Sequence, residues 1–330
     1  MAVLNHPLDF ERELVELEGR LEALKDQVAS GDLSKQDEFF KLEIRIAKMR
    51  KDIYGKLTPY QKVQLSRHFD RPFTQDYIDL IFTDFIELHG DRKFMDDAAI
   101  VGGLAKLGDQ RVVVVGHQRG RSTQERLKRN FGMAQPEGYR KALRLFELAE
   151  KFEMPIITLI DTQGAYPGIG AEERGQSEAI ARNLYEMSVL TVPIISVVIG
   201  EGGSGGALAL GVTDKILMME YASYSVITPE ACASILWHSS SNDESGNSQS
   251  AQAAEILRIT AKDLLEFKII DEIIPEPLGG AQNNHKEAAE ALKSSLIRNL
   301  TELTKNVKGG ELLENRYKKF RAMGPFTDKA

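Results

Sequence analysis

The sequence predicts an α/β fold in which helices cover both faces of a sheet. From about Thr74 onward, short apolar segments alternate with amphipathic helical segments. The short segments are apolar at consecutive positions, which indicates strands buried on both faces. Two of them, residues 154–158 and 192–196, have the same layout, and a glycine-rich stretch follows each. This repetition predicts one βα unit used twice in succession.

The first section, about residues 8–54, predicts two charged helices separated at Ser30-Gly31-Asp32. Each helix carries one apolar stripe, because its apolar residues recur at three- and four-residue steps. The stripes consist of Phe10, Leu14, Leu17, Leu21, Leu24 and Val28, and of Phe39, Leu42, Ile46, Met49 and Ile53. The hairpin covers these stripes by closing on itself or on its own body, or another subunit covers them. Both alternatives remain open at this stage.

The main section follows from residue 56. Its strands are predicted at residues 112–115, 155–161, 193–199, 215–219 and 269–274, with helical faces around Phe146, Ile180 and Leu296. Residues 239–250 are rich in Ser, Asn and Gly and predict an exposed loop. We therefore expect a helical hairpin at residues 1–55, a main domain at 56–304 and a charged C-terminal tail at 305–330.

Composition narrows the possible functions. The formal net charge of −7 argues against a general nucleic-acid coat protein, which needs a surplus of Lys and Arg. A single cysteine, Cys232, excludes an internal disulfide framework and fits a reducing compartment. The histidines are scattered, so no metal site is predicted. No export signal or apolar run of roughly 20 residues is found, so we expect a cytoplasmic protein without a membrane span.

The stretch from Gly200 to Ala207 matches two unrelated motifs. Gly200, Gly202 and Gly205 fit the GxGxxG turn of a nicotinamide-dependent dehydrogenase, although the following helix, predicted at residues 207–212, is short for that fold. Gly202-x-Ser204-x-Gly206 also fits the nucleophile elbow of an α/β-hydrolase, with His238 or His285 as a base. Five glycines in so short a stretch make either match easy by coincidence.

A third interpretation needs no side-chain nucleophile. Glycines let a ligand carbonyl approach the backbone, where consecutive N–H groups at a helix start hold an oxyanion. The plain alternative is a packing turn between a strand and a helix. The preceding predicted strand ends in a similar stretch, from Asp161 to Gly168, and two adjacent turns of this kind predict a cleft.

At this point the sequence resembles a family, the alpha subunits of the acetyl-coenzyme A carboxylase carboxyltransferase of the bacterial multi-subunit type. The resemblance covers nearly the whole chain in order. The segments that carry it are residues 132–144, 161–168, 170–181, 200–208, 224–230 and 274–281. It implies a crotonase-like superhelix of repeated ββα units, with the helical hairpin at its N-terminus.

The resemblance also implies a reaction and partners. The carboxyl group of carboxybiotin, presented by a biotin carboxyl carrier protein, passes to acetyl-CoA and gives malonyl-CoA, the first step of fatty acid synthesis. No cofactor is then bound covalently to this chain. A beta subunit with its own crotonase-like domain and a zinc ribbon completes the site in an assembly of two alpha and two beta chains, and biotin carboxylase belongs to the larger complex. The zinc is expected only on the beta subunit.

The implied site residues follow from the same segments. The resemblance places an oxyanion hole at Gly205, Gly206 and Ala207, facing biotin. The basic segment 119–144 suggests an anionic ligand such as CoA phosphates or the incoming carboxylate, although a solvated helical face explains it equally well. The expected substrate-binding residues are Gly164, Ala165, Tyr166, Gly202, Gly203, Ser204, Asn130, Phe131, Gly132, Arg119, Arg129 and Arg140.

Two variants separate the main hypotheses. Ser204→Ala should abolish a hydrolase and hardly disturb an oxyanion turn, whereas Gly206→Val should do the reverse. A dehydrogenase would bind NADH. A non-catalytic scaffold subunit that only positions its partner would tolerate Gly206→Val in a fully active complex.

Overall fold

The computed structural model describes residues 6–237, 244–306 and 309–324. The helices of this part of the chain are α1 Arg12–Ala29, α2 Gln36–Tyr54, α3 Pro59–Ser66, α4 Thr74–Ile81, α5 Thr123–Lys128, α6 Pro136–Lys151, α7 Ile169–Glu173, α8 Gln176–Val189, α9 Ser204–Leu208, α10 Pro229–Trp237, α11 Glu244–Leu257, α12 Ala261–Glu266, α13 His285–Asn306 and α14 Gly309–Ala322. The strands are β1 Thr83–Glu87, β2 Ile100–Leu107, β3 Gln110–His117, β4 Ile156–Thr162, β5 Ile194–Gly203, β6 Lys215–Met219, β7 Ser223–Ser225 and β8 Glu272–Ile274.

One mixed sheet organises the main section, with the strand order β1-β2-β3-β4-β5-β6-β8 and with β7 paired to β5. β1, β2 and β3 are antiparallel neighbours, and the sheet is parallel from β3 onward. Every residue of β4 and β5 is buried, because helices cover both faces of the sheet. The predicted α/β fold with a sheet between helices is therefore confirmed.

The repeated βα unit is visible in the pairing of β4 with β5. Ile156 lies opposite Ile194, and Thr158 lies opposite Ser196, so the two matching sequence segments pair position by position. Parallel neighbours end at the same edge of the sheet. The two glycine-rich stretches are consequently brought together at that edge.

The N-terminal hairpin covers its own apolar stripes. Leu14 and Leu24 of α1 and Leu42 and Ile46 of α2 are buried in one cluster, which also includes Tyr221 of the main section. The Tyr54 hydroxyl donates a 2.6 Å hydrogen bond to Glu11 within the same layer. Within this chain the hairpin thus closes on itself and on its own body.

Two predictions from polar sequence were wrong about local structure. The loop expected at residues 239–250 lies partly outside the described residues, and from Glu244 onward the chain is helical as α11, with Ser250 buried. Small side chains such as Ala253 and Ala254 form the buried side of this helix, so no strong apolar period marks it in the sequence.

The segment expected to be a charged tail after Lys305 contains α14. Arg316 of this helix is only 2% exposed, and its guanidinium forms a salt bridge with Asp214 at 2.8 Å. The same guanidinium donates to the backbone carbonyls of Met187, Leu190 and Val192. The helix is thus attached to the main domain near the start of β5.

The glycine-rich stretch is also divided differently from the sequence prediction. β5 continues through Gly200, Gly202 and Gly203, and the helix begins at Ser204 rather than at Ala207. Glycine is uncommon in strand interiors, which is why the sequence suggested a turn over the whole stretch. The turn itself is short and lies at the junction of Gly203 and Ser204.

Candidate functional site

The ends of β4 and β5 touch each other through their backbones. A Cβ atom at Gly203 would overlap the carbonyl oxygen of Gln163, and one at Gly206 would lie 2.6 Å from the carbonyl carbon of Gly164. Neither glycine has a left-handed φ, so close packing and not backbone conformation requires glycine here. The cleft expected between the two turns is closed at this point, and open space lies on either side of the contact.

Three backbone N–H groups remain available at this contact. Gly205 and Gly206 are the second and third residues of α9, where N–H groups have no acceptor within a helix. In the described part of the chain, neither they nor the amide of Ala165 donates a hydrogen bond to a group outside the helix. The N–H of Gly164 is bonded to Thr162 Oγ1 at 3.1 Å. Gly205, Gly206 and Ala165 are therefore the candidate oxyanion donors.

Ala207 differs from these three residues. It is the fourth residue of α9, whose N–H points back toward the carbonyl of the residue before the helix. Its side chain is fully buried in the main core. Ala207 therefore packs in the core and is not a candidate oxyanion donor, although the sequence predicted that role for it. Gly205 and Gly206 keep the predicted role.

An apolar cavity of about 240 Å³ opens beside α9. Ser204 and Gly205 form one wall, and the remainder comes from Leu208, Tyr224, Ser225, Val226, Leu264 and Ile269. Ser204 and Gly205 were predicted from the sequence. The other residues were not, because they lie in separate segments that only the fold brings together. We call this space the apolar cavity.

A second space of about 200 Å³, the cationic cavity, lies beside the turn that follows β4. It is lined by Arg67, His68, Phe69, Phe73, Arg119, Gly120, Arg126, Phe131 and Gln163. Arg119 and Phe131 were predicted as substrate-binding residues, whereas the contribution of Arg67 was not predicted. The guanidinium of Arg126 lies 4.6 Å from the ring centre of Phe69, so an aromatic face supports this cation.

Buried ion pairs connect the cationic cavity with the ends of β4 and β5. Arg119 lies 3.1 Å from Asp161 and 3.1 Å from Glu201. Arg67 contacts Glu201 at 2.7 Å and Glu230 at 2.8 Å. Asp161 also accepts the backbone N–H of Glu201 at 3.0 Å. Burial raises the pKa of Asp161, and the charge of Arg119 opposes that rise. These ion pairs hold the ends of β4 and β5 in place, and the free amides of Gly205, Gly206 and Ala165 follow directly after those ends.

The segment from Asn130 to Gly132 adopts an unusual backbone. Its φ values are 46° at Asn130, 57° at Phe131 and 84° at Gly132, all in the left-handed region. Such a conformation is disfavoured for a bulky side chain and often marks a functional position. It places the Phe131 ring, which is 45% exposed, at the cationic cavity. A Cβ added at Gly132 would come 2.9 Å from Cγ of Arg119, so the backbone passes close to this side chain.

Several predicted substrate-binding residues take part in structural contacts instead. Arg129 donates to the carbonyl of Ala98 at 2.8 Å. Arg140 pairs with Asp91 at 3.2 Å and with Glu137 at 3.1 Å. Neither residue lines the apolar or the cationic cavity. Arg129 and Arg140 are thus used to hold loops together, which the sequence pattern does not distinguish from ligand binding.

The remaining predicted residues divide between the strand and the first turn. Gly202 lies in β5, where a Cβ would come 2.8 Å from the Tyr224 ring. Tyr166 donates its N–H to the carbonyl of Ala134 at 3.0 Å, and its own carbonyl accepts from Gln176. These contacts hold the two turns in place beside the free amides.

The two rival motif matches lose their structural basis. Gly200 and Gly202 lie inside β5, so they do not form the phosphate-binding turn of a dinucleotide fold. Ser204 does occupy a strand-to-helix junction, but in the described residues its hydroxyl makes no hydrogen bond to a histidine. His285 donates from Nε2 to the backbone carbonyl of Asp70 at 2.7 Å, and His238 lies outside the described residues.

His117, at the end of β3, lies beneath the glycine turn. Both of its ring nitrogens are buried and have no hydrogen-bond partner in the described part of the chain. Burial, with a smaller contribution from Arg119, lowers the pKa of His117 to about 3. Backbone groups of Gly206 and Leu159 lie near the ring and oppose this shift, although neither completes a well-formed hydrogen bond. The imidazole is therefore neutral and acts as a packing group below the turn.

A buried neutral histidine makes the protein less stable in acid. The unfolded chain takes up a proton at His117 below about pH 6.5, whereas the folded chain does so only near pH 3. Between these values the free energy of unfolding should fall by about 1.4 kcal/mol per pH unit from this group alone. His117→Gln should lower that slope by the same amount in urea titrations at several pH values. Parallel slopes for the two proteins would contradict the buried neutral state.

The described residues hold no group of three or more His, Cys, Asp or Glu side chains placed to bind a metal ion. Of their helices, none is long and apolar enough to cross a membrane.

Comparison with known sequences gives a consistent result. The model of a family described as acetyl co-enzyme A carboxylase carboxyltransferase-like matches residues 7–324. A protein of Geobacter metallireducens named acetyl-coenzyme A carboxylase carboxyl transferase subunit alpha is 56% identical over 98% of this chain and 99% of its own length. A protein of the same name from Gemmatimonas aurantiaca is 54% identical, over 97% of this chain and 98% of its own length.

Comparison with solved structures confirms the crotonase-like fold. A transcarboxylase 12S structure with methylmalonyl-coenzyme A and methylmalonic acid bound aligns with a TM-score of 0.56 at 21% identity, over 71% of this chain and 42% of that chain. The beta subunit of Pseudomonas aeruginosa geranyl-CoA carboxylase aligns with a TM-score of 0.53 at 16% identity, over 77% of this chain and 47% of that chain. At these identities the likeness concerns the fold alone.

Proposed function

Because this chain belongs to the family of acetyl-coenzyme A carboxylase carboxyltransferase alpha subunits, we propose that it forms one half of the site that transfers a carboxyl group from carboxybiotin to acetyl-CoA. The observation that supports this site most strongly is the set of free N–H groups at Gly205, Gly206 and Ala165, of which Gly205 lines the apolar cavity. The product of the transfer is malonyl-CoA.

The chemistry needs charge stabilisation more than a protein nucleophile. When the bond between the ureido nitrogen and the carboxyl carbon breaks, its electron pair stays on the biotin ureido group and spreads onto the ureido oxygen. Backbone N–H groups aimed at that oxygen stabilise the developing charge. The ureido nitrogen then takes a proton from the methyl group of acetyl-CoA, and the resulting enolate attacks carbon dioxide. Gly205, Gly206 and Ala165 are the groups of this chain that would hold the ureido oxygen.

The two cavities suit different parts of the substrates. The apolar cavity has hydrocarbon walls at Leu208, Leu264 and Ile269, which match a ring system and its aliphatic chain. Arg67, Arg119 and Arg126 give the cationic cavity three guanidinium groups. Guanidinium groups bind carboxylates and phosphates well, so we place the carboxyl group or a CoA phosphate there. In both cases the ligand lies against the ends of β4 and β5.

The relatives' names describe subunits, which supports a multi-subunit enzyme. We propose that the partner is a carboxyltransferase beta subunit in an assembly of two alpha and two beta chains. This partner holds the CoA thioester and carries the zinc. Carboxybiotin arrives on a biotin carboxyl carrier protein that biotin carboxylase has loaded. A cytoplasmic location agrees with the single cysteine.

Reconstitution tests this function directly. The chain should be mixed with the beta subunit of its own organism and supplied with acetyl-CoA and carboxylated carrier protein, and malonyl-CoA should be measured by mass spectrometry. We expect product only when both chains are present, because the oxyanion donors of the two reactants come from different chains. Each chain alone is the control. Product from the beta subunit alone at the same rate would leave this chain as a scaffold.

A further inference from the structure

The only left-handed residue in the glycine-rich stretch from Gly200 to Ala207 is Ser204. Its φ is 51°, whereas none of the five glycines of this stretch has a φ in that region. A left-handed backbone is unfavourable for a residue with a Cβ and easy for glycine. Glycine would therefore suit this position best, and the chain has serine there instead.

The neighbouring glycines have a different explanation. Added Cβ atoms at Gly200 and Gly206 would come 2.5 Å from Asp161 Oδ1 and 2.6 Å from the backbone of Gly164. At Ser204 the side chain meets no such obstacle and is exposed. Close packing thus requires glycine at positions 200, 202, 203 and 206, whereas position 204 has serine although its conformation disfavours a Cβ. This contrast indicates that the serine side chain itself is used.

The surroundings of Ser204 show where the hydroxyl could act. Ser204 and Gly205 form the polar wall of the apolar cavity, opposite the side chains of Leu264 and Ile269. The Ser204 hydroxyl has no hydrogen-bond partner among the residues that the structure describes, so it does not stabilise the fold through a hydrogen bond. A hydroxyl both donates and accepts hydrogen bonds, and this one faces a cavity next to a free backbone N–H.

We propose that the Ser204 hydroxyl binds the polar edge of the ligand in the apolar cavity, and that it distinguishes a cyclic urea from other carbonyl compounds. The backbone N–H groups recognise only the carbonyl oxygen, which a urea shares with a thioester. The hydroxyl adds an acceptor for the N–H that flanks the carbonyl of a urea and is missing from a thioester. This inference rests on the proposed function, since it assigns the biotin side of the reaction to this cavity.

The test uses Ser204→Gly and Ser204→Ala in the reconstituted complex. Glycine removes the hydroxyl and relaxes the backbone, whereas alanine removes only the hydroxyl. Both should lower kcat/KM for the carboxylated carrier protein about tenfold, the effect of losing one hydrogen bond to a ligand, and leave KM for acetyl-CoA unchanged. Ser204→Gly should melt no lower than the unaltered chain. An oxyanion turn without a role for the hydroxyl predicts that Ser204→Ala has little effect. A tenfold loss in Ser204→Ala therefore distinguishes the present inference from that simpler account.

Ser188→Ala is the matched control, because the Ser188 hydroxyl bonds to the carbonyl of Tyr185 on the surface of α8. Full activity of both Ser204 variants toward the carrier protein would overturn the inference and leave the proposed function intact. A rise in KM for acetyl-CoA instead would overturn it as well, because the cavity would then hold the thioester. Failure of the proposed function would appear earlier, as an inactive complex with the unaltered chain.

Discussion

Replacing Gly206 by alanine is expected to lower the rate of carboxyl transfer about 100-fold or more, the range observed when one oxyanion donor is displaced. The new methyl group would lie 2.6 Å from the carbonyl carbon of Gly164 and 2.7 Å from the nitrogen of Ala165. Both contacts are with backbone, so neither can swing aside. The turns after β4 and β5 must separate, and the amides of Gly205 and Gly206 then move relative to that of Ala165.

The measurement is kcat in the reconstituted complex, together with gel filtration to show that the complex still forms. Gly19→Ala is the control, since a Cβ at that position of α1 meets nothing within 4 Å. That variant should keep full activity. An active Gly206→Ala complex would show that the contact between the turns has no part in catalysis.

Replacing Arg316 by alanine is expected to lower the free energy of unfolding by about 3–5 kcal/mol, because a buried carboxylate then loses its partner. The guanidinium holds both oxygens of Asp214, at 2.9 Å and 2.8 Å. Asp214 also accepts the backbone N–H of Ile194 at 2.7 Å, the first residue of β5. The loss should therefore extend from α14 to the strand that ends in the glycine turn.

Thermal unfolding followed by circular dichroism measures this loss, and limited proteolysis shows whether α14 is released. Lys318→Ala on the same helix is the control, because Lys318 is 67% exposed and pairs only with Glu314 across one helical turn. Exposed pairs of this kind contribute about 0.3–0.5 kcal/mol. Equal melting temperatures for the two variants would mean that Arg316 does not hold the helix.

The sequence was most informative where burial dictates the pattern. The first halves of β4 and β5 are mainly apolar, and their shared layout predicted one βα unit used twice, which the pairing of Ile156 with Ile194 agrees with. It was least informative for α14. In that helix Arg316 lies between Leu312 and Phe320 at four-residue spacing, so a buried cation interrupts the apolar stripe. A polar residue held by carbonyl groups and a carboxylate is indistinguishable in sequence from an exposed one.

The candidate site, too, could be predicted from the sequence only in part. The glycines identified the correct segment, but five glycines cannot reveal which belong to the strand and which to the helix, since the difference depends on neighbouring backbone. The walls of the apolar cavity, such as Tyr224 and Ile269, come from segments that are distant in sequence. Arg119 and Arg140 look alike in the basic segment, and only the carboxylates around Arg140 show that it serves structure.

The central claim is that backbone N–H groups at Gly205 and Gly206, and no side-chain nucleophile, supply the chemistry of this chain. The most direct test replaces Gly206 by glycolic acid through semisynthesis, which exchanges the N–H for an ester oxygen without adding an atom. We predict an assembled complex that binds acetyl-CoA normally and transfers the carboxyl group about 100-fold more slowly. An unchanged rate in that complex would contradict the account.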